Sequence, residues 1–347
     1  MKKVICILIV LLLVGTTTFV DYNNSKKYNP NSNIKINYNN ICLSNFSDIW
    51  ATNENFYYAD YSHISRVNKD GEKEILITVN ELRESELHLS ENESAIGYGV
   101  QAFGDYIYFM YSTSNAISEF YRMDKNTLKY ELIYDISDHI DCWTILNNRL
   151  IFTSSPTDFG HLEFDLQVVD LVDNSVDKIA SKVVSFGIVN EKIRYIKHNY
   201  KTKMTRLYEY SVEKKRTELI GGFSGKAYNA WFFNYTDEKV ILFKKKTVFV
   251  YDINTKTVTD YKLENKIENM SCYRNSAFIQ SETDDGESKI YHLNLKDCNL
   301  KQIYKTNNSP DVFCANEDSV FVVDVANKPV VVRSVSKDGK VKRVLVL

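Results

Sequence analysis

From about residue 44 onward, apolar and polar positions alternate with a period of two, in short bursts separated by polar turns. Such alternation marks half-buried strands, because a helix would repeat its apolar positions every three or four residues. The bursts come in groups, and the best-preserved part of each group is a hairpin. It reads ISRVNKDGEKEILI at Ile64, FYRMDKNTLKYELIY at Phe120, LQVVDLVDNSVDKIA at Leu166 and RLYEYSVEKKRTELI at Arg206. It returns as VFVYDINTKTVTDYKL at Val248, IYHLNLKDCNLKQIY at Ile290 and VVRSVSKDGKVKRVLV at Val331. The turn centres lie near Asp70, Asn126, Asn174, Lys215, Thr255, Asp297 and Asp338. Apart from two longer intervals in the first half, they recur at the ~40–45-residue period of a four-stranded propeller blade.

Naming the strands of each unit a to d from the inside outwards, the first b strand is Phe56–Asp60, and the others begin near Tyr106, Leu150, Ile193, Val240, Ala277 and Val320. Asn- and Asp-bearing turns precede most of them, such as NNR before Leu150 and NEK before Ile193, as hairpins that need positive φ require. The expected fold is therefore all-β: one seven-bladed β-propeller over residues 44–347, with four antiparallel strands per blade. Residues 79–92 carry no clean helical stripe and are read as a long loop with one helical turn. The last blade holds four strands of its own, so the ring closes either by packing alone or with residues 34–43 added to an edge.

The first 20 residues, MKKVICILIVLLLVGTTTFV, break this pattern. Lys2 and Lys3 precede an unbroken apolar run from Val4 to Val14, which is an export signal. No A-x-A-like cleavage site follows, so residues 1–20 are expected to act as a signal or as an uncleaved transmembrane helix. Val4–Val20 would span ~25 Å as a helix, near the lower limit for crossing a bilayer. Residues 21–43, rich in Asn, Lys, Ser and Tyr, read as a polar linker. The body is placed outside the cytoplasm, anchored to the cell membrane or secreted.

Composition refines this picture. The chain has 24 Tyr and 18 Phe but only 4 Pro, which suits strands. A net charge of −2 gives no polyanion-binding bias, so nucleic acid is not an expected partner. Outside the signal, Cys42, Cys142, Cys272, Cys298 and Cys314 form no disulfide framework and no metal-ligand spacing. Cys272 and Cys314 are expected to be buried as small hydrophobes.

One blade resembles a known repeat. In FYYADYSHISRVNKDGEKEILI, Tyr57-Tyr58-Ala59-Asp60, Ile64, Arg66 and Asp70-Gly71 resemble the YWTD-type repeat of low-density-lipoprotein-receptor propellers and their exported bacterial relatives. Elsewhere the likeness thins to the hairpin alone, and receptor propellers of that type have six blades rather than seven. The resemblance implies a propeller with an extracytoplasmic binding role and carries over no functional residue.

Candidate chemistry is sparse. A bulky residue precedes each b strand by about seven positions: Trp50, Tyr98, Trp143, Phe186, Trp231, Met270 and Phe313. These are expected to fill the wedges between blades. Two residues earlier there is usually an acid or amide: Asp48, Asp141, Asn229, Glu268 and Asp311. Asp48, Asp141 and Asp311 are the candidate ligand-binding residues at the mouth of the central channel. The d–a and b–c loops share one face and read as the longer ones, and His88, His139, His161 and His198 fall on them. His139 and His161 join the candidates, because loops on a rigid scaffold collect function. No nucleophile elbow, zinc-protease motif, P-loop or dinucleotide fingerprint occurs, so no cofactor and no metal site are expected. The acidic turn Ser281–Glu287 departs from a calcium loop. The expected role is an extracytoplasmic binding or protein-interaction module whose partner is a protein, peptide or glycan. The alternatives are a hydrolase or lyase acting on extracellular glycans, and a structural subunit of a membrane complex.

Overall fold

The computed structural model describes residues 49–346, apart from short stretches at 53–54, 60–61, 69–71, 85–94, 114–116, 156–163, 228–231, 308–310, 316–317 and 325–330. The N-terminal signal, the linker and the closure role of residues 34–43 lie outside the described residues, as do Asp48 and His161. Among the described residues, no helix is long and apolar enough to cross a membrane.

The chain folds into seven four-stranded sheets, each an antiparallel meander whose strands pair in sequence order. Blade 1 covers 49–78, blade 2 95–136, blade 3 139–183 and blade 4 185–224. Blades 5, 6 and 7 cover 232–262, 266–306 and 311–346. This is the all-β seven-bladed propeller that the repeats predict, with strand b of each blade starting within one residue of the expected position. The a–b turns of blades 3 and 4 are two-residue turns in which Asn147 and Asn148, and Asn190 and Glu191, all have positive φ. That geometry matches the right-handed twist of the flanking strands, which is why Asn recurs there. Between blades 1 and 2, residues Val79–Glu84 form a short helix. Thr78 Oγ1 accepts from the Glu81 amide and the Glu81 carboxylate accepts from the Thr78 amide, a reciprocal cap that starts the helix.

Blade 7 takes all four strands from 311–346, so no strand of another blade completes it among the described residues. Its b strand packs on blade 1, with the Phe321 and Phe56 rings 6.0 Å apart. One apolar cluster runs from Phe278 and Ile290 of blade 6 through Val320, Val322 and Val332 of blade 7 to Phe56 and Val67 of blade 1. Burial across the seam therefore joins the two ends of the ring.

The bulky inner-strand residues are packing residues, but they do not form one sevenfold ring. Trp50, Trp143, Phe186 and Met270 are all buried. Trp143 pairs across the sheet with Phe152 and packs edge-on against Phe120 of the preceding blade, 5.4 Å away. Phe186 and Met270 stand at the same register, four residues before the two-residue a–b turn, and cluster with blades 3 and 5 respectively. Trp50 sits one step out of this register and turns the other way, with its ring 5.1 Å from Phe103 of blade 2. In blade 2 the slot belongs to Val100, which is fully buried, and not to Tyr98. In blade 5 the backbone at this register is that of Phe233, and Trp231 lies outside the described residues.

Two glycines of blade 4 admit aromatic rings from blade 5. A Cβ on Gly187 would lie 2.5 Å from Cδ2 of Tyr235, and one on Gly221 would lie 2.4 Å from the Tyr251 hydroxyl. That hydroxyl accepts from the amide of Gly222 at 3.1 Å. The same seam is latched beside the Gly187–Tyr235 contact. Arg194, buried, donates to the carbonyls of Thr236 and Asp237 in the a–b turn of blade 5 while its Nε pairs with Glu209 at 2.9 Å.

Candidate binding site at the channel mouth

The inner strands line the central channel, and their first residues lie at the face carrying the d–a and b–c loops. In blade 3 the inner strand His139–Leu146 pairs regularly from Leu146 back to Cys142, opposite Thr153. The next pair joins Ser154 to Ile140, which leaves Asp141 as an extra residue off the ladder. This is a β-bulge, and it turns the Asp141 side chain out of the blade. Blade 6 repeats the device. Ile267 pairs with Ser281 and Asn269 with Gln280, so Glu268 is the extra residue. Each bulge lies two residues before the packing residue of its blade, Trp143 or Met270.

The two carboxylates differ in environment. Glu268 pairs with Lys266 at 2.7 Å. Asp141 has no hydrogen-bond or ion-pair partner among the described residues. Water reaches its side chain, yet the pKa is pushed up to about 6 by desolvation. The two facts fit a group that looks into a narrow channel, wetted from one side and walled by low-dielectric protein on the others. Burial pushes the thiol of the neighbouring Cys142 up, and the Asp141 charge adds to this, so Cys142 is a poor nucleophile. Burial likewise pushes the Tyr235 phenol up. Its hydroxyl sits beside Ser185 without a well-directed hydrogen bond.

The approach to Asp141 is held rigid. Asp138 Oδ2 accepts from Ser154 Oγ at 3.1 Å, and Ser154 Oγ accepts from Gln167 Nε2 at 2.8 Å. The Asp138 carbonyl accepts from Ser118 Oγ at 3.0 Å, and Ser118 bonds Ser112 at 2.7 Å. These serines are buried, so the connection between blades 2 and 3 is pinned on both sides.

Of the sequence candidates, only Asp141 has a described side chain. His139 and Asp311 are the first residues of the inner strands of blades 3 and 7, so their backbones stand at the mouth. His198 is not an exposed loop residue. It is a buried residue near the end of a strand, with Nδ1 2.9 Å from Thr205 Oγ1. The loops on this face are also shorter than expected, because the strands run further towards it; blades 2 and 3 are joined by residues 137 and 138 alone. Glu268 has the same spacing before Met270 but is not among the sequence candidates. The signal was there, since a bulge shows as a one-residue slip in the alternation. Cys272 is buried, as expected. Among the described residues, no group of three His, Cys, Asp or Glu side chains is placed to hold a metal ion.

The chain matches no protein-family profile and no curated protein in sequence. Its likenesses are to solved structures. It is similar to oligogalacturonate lyase from Vibrio parahaemolyticus at 10% identity and a TM-score of 0.57, over 71% of this chain and 76% of the lyase. It is similar to the tricorn protease at 11% identity and a TM-score of 0.56, over 90% of this chain but 34% of the protease. It is also similar to the β-propeller domain of the Trilobed protease from Pyrococcus furiosus, described as having an open velcro topology. That likeness has 14% identity and a TM-score of 0.58, over 90% of this chain and 96% of the domain. At such identities the relation is one of architecture, and these neighbours do different chemistry on the same scaffold. The chain is a seven-bladed β-propeller that resembles these lyase and protease structures in fold.

Proposed function

We propose that this protein is an extracytoplasmic binding module that takes its ligand at the channel mouth on the face of the d–a and b–c loops. The single observation behind this reading is Asp141, an exposed carboxylate without a partner among the described residues, placed at a β-bulge near the start of the inner strand of blade 3 and partly desolvated there. A fold that only needed packing gains nothing from a charge kept there, whereas a ligand with a cationic or hydroxyl group would match it. The export signal in residues 1–20 supports a location outside the cytoplasm, with Val4–Val20 holding the body at the membrane. A secreted form beginning after Thr18, found by fractionation and N-terminal sequencing, counts against the tether.

The binding reading is tested by thermal-shift screening of the full chain against small peptides, amines and oligosaccharides, followed by the same screen on Asp141→Asn. Ligands acting at the mouth stabilise the parent and not the variant. Hits that stabilise both equally place binding elsewhere and overturn the reading.

A further inference from the structure

The face that carries the channel mouth is electrically lopsided. Its acidic side lies at blades 2 and 3, where Asp135, Asp138 and Asp141 stand within one strand end, connection and strand start, and Asp165, paired with Lys178, lies near the start of a strand of blade 3. Its basic side lies at blades 4 and 5. The b–c segment of blade 4, from Lys197 to Arg206, also contains Lys201 and Lys203 and has no acidic residue. Lys201, Lys203 and Arg206 are exposed, and Tyr200 at the tip is 51% exposed. The connection into blade 5 adds exposed Lys226 and no acid.

In blade 5 the b–c turn is three exposed lysines, 244–246. Its carbonyls at Lys245 and Lys246 accept from the amides of Ile267 and Leu263, each at 2.8 Å, which fixes the turn against the segment bearing Lys262 and Lys266. The acids in these segments are Glu264 and Glu268. Glu268 is paired with Lys266, and Glu264 with Lys289 of blade 6 at 3.3 Å. The side chains of Lys197, Lys201, Lys203, Arg206, Lys245 and Lys262 have no hydrogen-bond or ion-pair partner among the described residues. The exposed acids Asp284 and Asp285 of blade 6 bound the patch on its far side.

On this arc the basic side chains of segments 197–206, 226, 244–246 and 262–266 face only the acids Glu264 and Glu268, around an exposed tyrosine. Basic side chains attract an anionic lipid surface, and a tyrosine seats at the headgroup level. We propose that the arc formed by blades 4 and 5 docks the propeller onto an anionic phospholipid surface. Lys201, Lys203, Lys245 and Lys246 would meet headgroups and Tyr200 the interface, while the acidic side at blades 2 and 3 is lifted away from the lipid. This surface is separate from the channel-mouth carboxylate. It also does not depend on the N-terminal segment being an anchor, because the lysines of that segment draw the whole chain to anionic vesicles without protecting one arc of the propeller over another.

The experiment is amide hydrogen exchange on the full chain bound to vesicles of phosphatidylcholine alone, or with about one-third phosphatidylglycerol. With the anionic vesicles, peptides covering 199–204 and 244–247 should exchange at least about threefold more slowly than with neutral ones, and the c–d turns on the opposite face should not change. Raising salt to about 0.5 M should remove the difference. The quadruple variant K201Q/K203Q/K245Q/K246Q, all exposed positions, should fold and lose the protection, while Tyr200→Ser should reduce it. Equal exchange on both vesicle types overturns the proposal. So does slowing on every face, or protection by soluble polyglutamate with none from anionic vesicles. Asp141→Asn should leave the protection intact, so this proposal and the channel-mouth reading can fail independently.

Discussion

Replacing Trp143 with Ala tests whether the inner aromatics hold the ring together. The side chain is 5% exposed, lies edge-on to Phe120 of blade 2 and pairs across the sheet with Phe152. A buried tryptophan removes ~200 Å² from water. At ~25 cal/mol per Å² that is about 5 kcal/mol, of which alanine keeps a small part. The site cannot collapse, because rigid sheets lie on both sides, so the expected loss is about 3–5 kcal/mol. For roughly 300 folded residues the unfolding entropy is about 0.6 kcal/mol/K, and the melting temperature should fall by about 5–8 °C. Trp143→Phe should cost much less, because it keeps the ring contacts and removes an indole N–H that has no partner. Urea unfolding followed by circular dichroism, with a thermal melt on the same samples, reads both numbers. A shift within about 2 °C for Trp143→Ala would falsify the packing assignment. If ligand binding were lost at the same time, the indole would belong to the site instead.

Two further outcomes are expected. Gly187→Ala should destabilise by about 1–3 kcal/mol, because its Cβ meets the Tyr235 ring; adding Tyr235→Leu should recover part of the loss, and a fully additive double mutant sinks the explanation. Asp141→Asn should stabilise the fold at pH 8. The folded-state pKa of Asp141 is raised to about 6 by desolvation, so the ionised form is disfavoured in the folded protein. The carboxylate's penalty is therefore present above pH 6 and disappears as pH falls from there towards the ordinary aspartate value. The gain in melting temperature from the variant should shrink over that window, and a gain independent of pH contradicts the assignment.

The seven blades were legible because their signals are local. Alternation with a period of two, and Asn at the a–b turns, act over a few residues, and Asn147, Asn148 and Asn190 have the positive φ that those turns demand. Burial of the inner aromatics followed from the same alternation. Which way each one faces did not. Trp50 and Trp143 share a spacing, yet they turn to opposite seams, because pairing with strand b, not distance along the chain, sets the register.

The candidate site was half legible. Asp141 and Glu268 stood out by their spacing before a bulky residue, but their exit from the blade depends on a bulge. A bulge is a slip between two strands, and its position is decided by what the partner strand and the next blade can accommodate. The fit of Tyr235 over Gly187 depends on two blades meeting face to face, so no local pattern announces it. The basic arc is likewise assembled from short runs, 197–206, 226, 244–246 and 262–266, each an ordinary lysine-bearing turn in the chain. Residue type and period decided where the strands and turns are. Closure of the ring decided which side chains look into the channel and which charges share a face, because both depend on contacts between segments that only the tertiary structure brings together.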